Sequence, residues 1–199
     1  MRLRLLTPAV LVAAAALVAV SAPTVANAAT LTGLNAELAQ VDAGSATRVI
    51  PITGQGAVDD VTITIDFLKT DGSCVAPQPG DAFHGETRFA LASPTGTSIA
   101  LVSNGTYSGG TATGVVSVTF DDAAATTVGG GAPVSGTFRP VQSLAAFDGE
   151  LAAGDWILTV ADSTVADPLC YYKATLTVET GVPVLSDATL ANARLDAPY

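Results

Sequence analysis

Apolar and polar positions alternate most cleanly over residues 61–67, where Val61, Ile63, Ile65 and Phe67 interleave with Thr62, Thr64 and Asp66. Alternation with period two sends successive side chains to opposite faces of an extended chain, and β-branched and aromatic residues suit a half-buried pleated surface. The same pattern recurs at Val116, Val118 and Phe120. It returns at Trp156, Leu158 and Val160 against Ile157, Thr159 and Ala161, and at Tyr172, Ala174, Leu176 and Val178 against Lys173, Thr175 and Thr177. Shorter runs at 48–52, 89–92 and 99–102 also read as strands, the last two joined by the turn signature Ser93-Pro94-Thr95-Gly96. Residues 72–85 and 104–114, rich in Gly, Pro, Ser and Thr, read as loops, and Gly129-Gly130-Gly131 as a flexible connection. At least seven short strands, with no heptads and no long helical period, predict an all-β sandwich of two layers.

The stretch 136–162 closes the expected core. It holds the only tryptophan, Trp156, in step with Leu158 and Val160, while Gly149 and Gly154 mark a turn and Leu144 and Phe147 stand as apolar anchors in loop-like sequence. A tryptophan could also serve as a sugar-stacking platform, but its place in the alternating series predicts a core position. Tyr171 and Tyr172 read the same way, as strand packing.

The two ends differ from this body. Residues 1–28 carry Arg2 and Arg4, an apolar run over 10–20 and a small-x-small Ala26-Asn27-Ala28, which together predict a cleaved signal peptide. The apolar run is short for a membrane anchor, and no second span follows. Residues 29–57 read as a lead-in with an N-terminal strand or strands, 58–180 as the sandwich and 181–199 as a tail. Loss of the leader takes two arginines and no acid, leaving six basic residues against eighteen acidic ones, a net charge of −12 with His84 neutral. So acidic a chain argues against nucleic acid and anionic membranes as partners, and is compatible with binding divalent cations.

An exported chain with two cysteines meets oxidising conditions, so Cys74 and Cys170 are expected to pair; two buried free thiols are the alternative. A loop of that span, 96 residues, corresponds to about 4–5 kcal/mol on chain-entropy arithmetic. The acids Asp121, Asp122, Asp148, Glu150, Asp155, Asp162 and Asp167 gather around turns. Carboxylates there either cap backbone amides or supply hard oxygen ligands, and Asp121, Asp122 and Asp162 are the candidate set for a structural calcium ion. The lone histidine, His84, is too few for an imidazole metal site and is expected on an exposed loop. Gly96-Thr97-Ser98-Ile99-Ala100 and His84-Gly85 have the look of subtilase serine and histidine motifs. Only 14 residues separate Ser98 from His84, however, and no aspartate motif precedes them, so a catalytic triad is not expected. Asn104-Gly105-Thr106 has the form of a glycosylation sequon.

Several ordered motifs share one family pattern. Ser93-Pro94-Thr95-Gly96-Thr97 with Leu101, Phe120-Asp121-Asp122-Ala123-Ala124 and Gly136-Thr137-Phe138-Arg139-Pro140 come first. Leu144, Phe147-Asp148-Gly149-Glu150, Gly154-Asp155-Trp156-Ile157-Leu158 and Val160-Ala161-Asp162 follow. In this order they resemble the P domain (P/Homo B domain) that follows the catalytic domain of kexin- and furin-like proteases and of many secreted bacterial proteases. The resemblance implies a jelly-roll, galactose-binding-like sandwich that supports the folding, stability or target contact of a serine protease without catalysing anything itself. The partner it implies is a separately encoded extracellular protease or a surface ligand. A carbohydrate- or protein-binding module is the first alternative, and a cryptic serine hydrolase the second.

Overall fold

A computed structural model describes residues 28–181. All but the last residue of the expected leader and all but the first residue of the expected tail therefore lie outside the described residues. Ten strands follow in order: β1 (Ala29–Asn35), β2 (Ala39–Val41), β3 (Gly44–Ile52), β4 (Ala57–Lys69), β5 (Thr87–Ala92), β6 (Ser98–Val102), β7 (Val116–Phe120), β8 (Gly136–Phe138), β9 (Gly154–Asp162) and β10 (Leu169–Gly181). Single 3-10 turns, His84–Glu86 and Leu144–Phe147, interrupt the loops.

The strands form two sheets. One has the order β1-β10-β4-β7-β8, with β2 added beside β10; the other has the order β3-β9-β5-β6. All neighbours are antiparallel except β7 and β8. The expected all-β, two-sheet architecture is what the chain adopts. The stretch 29–57, read as a lead-in, supplies strands to both sheets: β1 lies along β10, and β3 pairs with β9 from Gly44↔Asp162 to Ile52↔Gly154. Its weak alternation reflects edge positions, where one flank of the strand meets water.

Alternation decides which side chains enter the core. Val61, Ile63, Ile65 and Phe67 of β4 are buried, as are Trp156, Leu158 and Val160 of β9. Phe67 and Phe89 meet edge-on across the two sheets at 4.9 Å, and Phe147 meets Trp156 edge-on at 5.0 Å. One phase differs from expectation. The β10–β4 register passes from Tyr171↔Phe67 to Lys173↔Asp66, so Tyr172 is an extra residue in β10. This bulge turns Tyr171, not Tyr172, into the core, because an inserted residue reverses the facing of everything beyond it. Tyr171 is fully buried and its hydroxyl donates to the Asn35 carbonyl at 2.8 Å.

Candidate functional site

The inward series of β4, β9 and β5 each end on a polar residue. In β4 the run Val61, Ile63, Ile65, Phe67 continues to Lys69; in β9 the run Trp156, Leu158, Val160 continues to Asp162; in β5 the run Leu91, Phe89 ends at Thr87. Register brings these termini together, since Thr87 pairs with Asp162. The Phe67–Phe89 contact lies one inward position deeper and seals the cluster from the core.

Lys69 is the centre of this arrangement. Its side chain is 0% exposed, and its ammonium stands 2.6 Å from Glu86 Oε2, 2.9 Å from Asp167 Oδ2 and 3.2 Å from Asp162 Oδ2. The Phe83 carbonyl accepts a further hydrogen bond at 3.0 Å. Burial lowers the Lys69 pKa, and the Glu86, Asp167 and Asp162 carboxylates more than reverse this, so it sits above the ordinary lysine value. Asp162 is pushed the other way. Burial raises its pKa, and neither the Thr164 amide nor Lys69 fully offsets that, so its carboxyl favours the neutral form more than a free aspartate does. Asp162 Oδ1 accepts from the Thr164 amide at 3.2 Å, while the buried Oδ2 receives no aligned hydrogen bond. Asp167 also accepts from the Phe83 amide. The loop that delivers Asp167 is tied to the β2–β3 turn, where the Ala166 amide donates to Asp42 Oδ1 at 2.9 Å.

His84 lies beside this cluster rather than on an exposed loop. It is fully buried, and its ring Nε2 donates to the Thr111 carbonyl at 2.9 Å, while Nδ1 is enclosed without a partner. Burial is the main reason its pKa lies below the ordinary histidine value, and the Lys69 charge adds to this. The 3-10 turn His84–Glu86 produces the difference, because it folds the loop inward to bring Glu86 to Lys69. Ser98 is elsewhere: it pairs with Ala92 at the far end of β5, about 17 Å along the strand from Thr87. The two residues with subtilase-like surroundings are thus not brought together.

The three candidate calcium ligands also separate. Phe120 pairs with Ile63, so Asp121 and Asp122 lie near the start of β4, about 20 Å along that strand from Lys69 and Asp162. Asp121 Oδ1 accepts from the Ala123 amide at 2.7 Å. Asp122 Oδ2 accepts from Ser143 Oγ at 2.6 Å and from the Ala145 amide at 3.0 Å. Asp122 thereby clamps the 3-10 turn that plants Leu144 and Phe147, both buried, against β4 and Trp156. Asp162 faces an ammonium, which fills the position a cation would take. Among the described residues, no group of three or more His, Cys, Asp or Glu is arranged to hold a metal ion. Asp121, Asp122 and Asp162 each accept from a backbone amide, as the reading of acids at turns as caps expects.

Cys74 and Cys170 form a disulfide, in a small apolar cluster with Leu68 and Tyr172 apart from the main core. Trp156 is 0% exposed and its indole N–H donates to the Ala152 carbonyl at 2.9 Å, so no ring face is open to a sugar. Glu150 closes the β5–β6 turn. Thr97 donates to its carboxylate, and the Ser93 and Thr95 hydroxyls also face it; together they outweigh desolvation and hold its pKa below the usual glutamate range.

Lys69 and Glu86 were not singled out from the sequence, although extending the β4 alternation by two residues would have marked Lys69 as inward-facing. Comparison with protein-family models and with curated proteins finds no match for this chain. Among the described residues, no helix is long and apolar enough to cross a membrane.

Proposed function

We propose that this chain is an exported, non-catalytic module of the P/Homo B kind, with jelly-roll connectivity, acting by contact with a separately encoded extracellular serine protease. One observation carries this reading: residues of the family-like motifs, far apart in sequence, hold one another. Thr97 of the Ser93–Thr97 turn bonds Glu150, and Asp122 bonds Ser143 and Ala145, the two residues that flank the Leu144 anchor. Motif residues that serve each other's turns account for their spacing without any reactive triad. The disulfide supports an oxidising, extracellular setting.

The test is a titration of the purified chain against subtilisin-like proteases from the culture supernatant of the producing cell. A stable complex with a longer-lived protease is expected. No complex, together with saturable binding on a glycan array, would move the chain to the carbohydrate-binding class. Covalent labelling by a serine-directed phosphonate, lost in Ser98→Ala, would instead establish a hydrolase.

A further inference from the structure

A buried lysine enclosed by three carboxylates is a costly way to build an ion pair. Each ion removed from water costs several kcal/mol, and one ammonium against three ionised acids leaves a surplus of negative charge beside an aromatic wall. The enclosure is nearly complete at the atoms that matter: the side chains of Lys69 and Asp162 are 0% exposed, that of Asp167 is 5% exposed and that of Glu86 is 19% exposed. An ammonium has three protons to donate, and four oxygens stand within 3.2 Å of Nζ. Asp162 Oδ2 is the one among them that accepts no aligned hydrogen bond. This oxygen is buried and the ammonium 3.2 Å away is not aligned on it, so it is where the neutral acid carries its own proton.

We propose that Lys69 and Asp162 condense to an amide between Nζ and Cγ, a covalent crosslink between the two sheets, with Glu86 as the proton carrier. The cluster contains every reactant. Lys69 passes one ammonium proton to the Glu86 carboxylate, the oxygen nearest to it at 2.6 Å. The neutral amine then adds to Cγ of the protonated Asp162 carboxyl, giving a tetrahedral carbon bearing two hydroxyls. One C–O bond breaks, and that hydroxyl leaves as water after taking the proton from Glu86. The proton of the remaining hydroxyl returns to Glu86 as the amide carbonyl forms. The products are one amide and one water, with one proton on Glu86, the most exposed of the three acids, which releases it to solvent. No oxidant, nucleotide or metal is required.

Each neighbour has a part. Asp167 is held by the Phe83 amide and stays an acceptor on the amine side, fixing Nζ. The Phe67–Phe89 pair keeps water from the reacting carbon, which favours condensation over hydrolysis. Reaction also removes the buried Lys69 charge, so the product is stabilised by the very desolvation that burdens the ammonium. Proximity supplies most of the remaining drive: the amine is held 3.2 Å from an oxygen of the carboxyl it attacks, and well-oriented groups so confined react at effective concentrations of roughly 10⁵ M or more.

Peptide mapping by tandem mass spectrometry on the full purified chain, denatured and with its disulfide reduced, tests this. Most of the chain is expected to yield a branched peptide joining the segments that contain Lys69 and Asp162, lighter than their sum by one water. Trypsin should fail to cut after Lys69. A chain with native circular dichroism and an intact Cys74–Cys170 bond that gives two separate peptides would overturn the proposal. A branch ending on Asp167 or on Glu86 would overturn the assignment of Asp162. Glu86→Gln, which keeps size and a hydrogen-bonding oxygen, should fold and form the disulfide yet lose the crosslink from nearly complete to undetectable. Full crosslinking in that variant would overturn the role given to Glu86.

Discussion

Trp156 shows how much rests on single side chains. Its indole is fully enclosed, meets Phe147 edge-on and satisfies its N–H on Ala152, so Trp156→Ala would remove both area and an aromatic contact and orphan a carbonyl. The expected loss is about 3–5 kcal/mol, read as a lower midpoint in urea unfolding with unchanged slope. Asp60 offers the opposite case. Burial is the first cause of its raised pKa, and Asp121, Asp122 and Asp59 add to it against the Val61 amide. An acid whose folded-state pKa is raised ionises earlier in the unfolded chain. Stability is therefore undiminished below the ordinary value near 3.8 and falls as pH rises through the folded value. Asp60→Asn should accordingly stabilise the protein at neutral pH by a few tenths of a kcal/mol, discounted for solvent screening. The gain should vanish below the ordinary carboxylate pKa and shrink in added salt, as thermal melts across pH and ionic strength would show.

Between elements, close approach sets the limits. A Cβ on Gly33 of β1 would come within 2.7 Å of the Pro51 carbonyl and 2.8 Å of the Ile50 and Ile52 side chains of β3. This contact joins the edge strands of the two sheets, and only a glycine leaves room for it. Gly33→Val is expected to cost about 1–3 kcal/mol by overpacking. The readout is local as well as global: amides of β1 should lose hydrogen-exchange protection before those of β4 and β10. The β5–β6 turn illustrates a different coupling, because Glu150, far along the chain, receives the hydroxyl of Thr97. A turn of ordinary Ser-Pro-Thr-Gly chemistry is thus anchored to the segment that leads into β9.

Across the whole molecule the covalent link between Cys74 and Cys170 closes a 96-residue span but stands in its own small cluster, outside the main core. Reduction, or a Cys74→Ala and Cys170→Ala pair of substitutions, should cost about 2–5 kcal/mol while leaving the near-ultraviolet signal of Trp156 intact at low temperature. Denaturant titrations with and without reductant would show the loss as a shift of midpoint. By itself the amino-acid order determined the strands of the core, because facing in an extended chain depends only on parity: Val61 to Phe67 and Trp156 to Val160 enter the core as their alternation dictates. It also marked Cys74 and Cys170, since two cysteines have one way to pair. Tertiary structure alone decided the rest. The bulge at Tyr172 reversed the parity of Tyr171 through pairing with β4, which no local pattern records. A 3-10 turn carried His84 out of solvent and Glu86 toward the ends of β4 and β9, where Lys69 and Asp162 meet it together with Asp167 from the loop before β10. Charges at strand ends read locally as solvated; they become a buried cluster only when another sheet is laid over them, and that is a property of register and layer packing rather than of any segment of sequence.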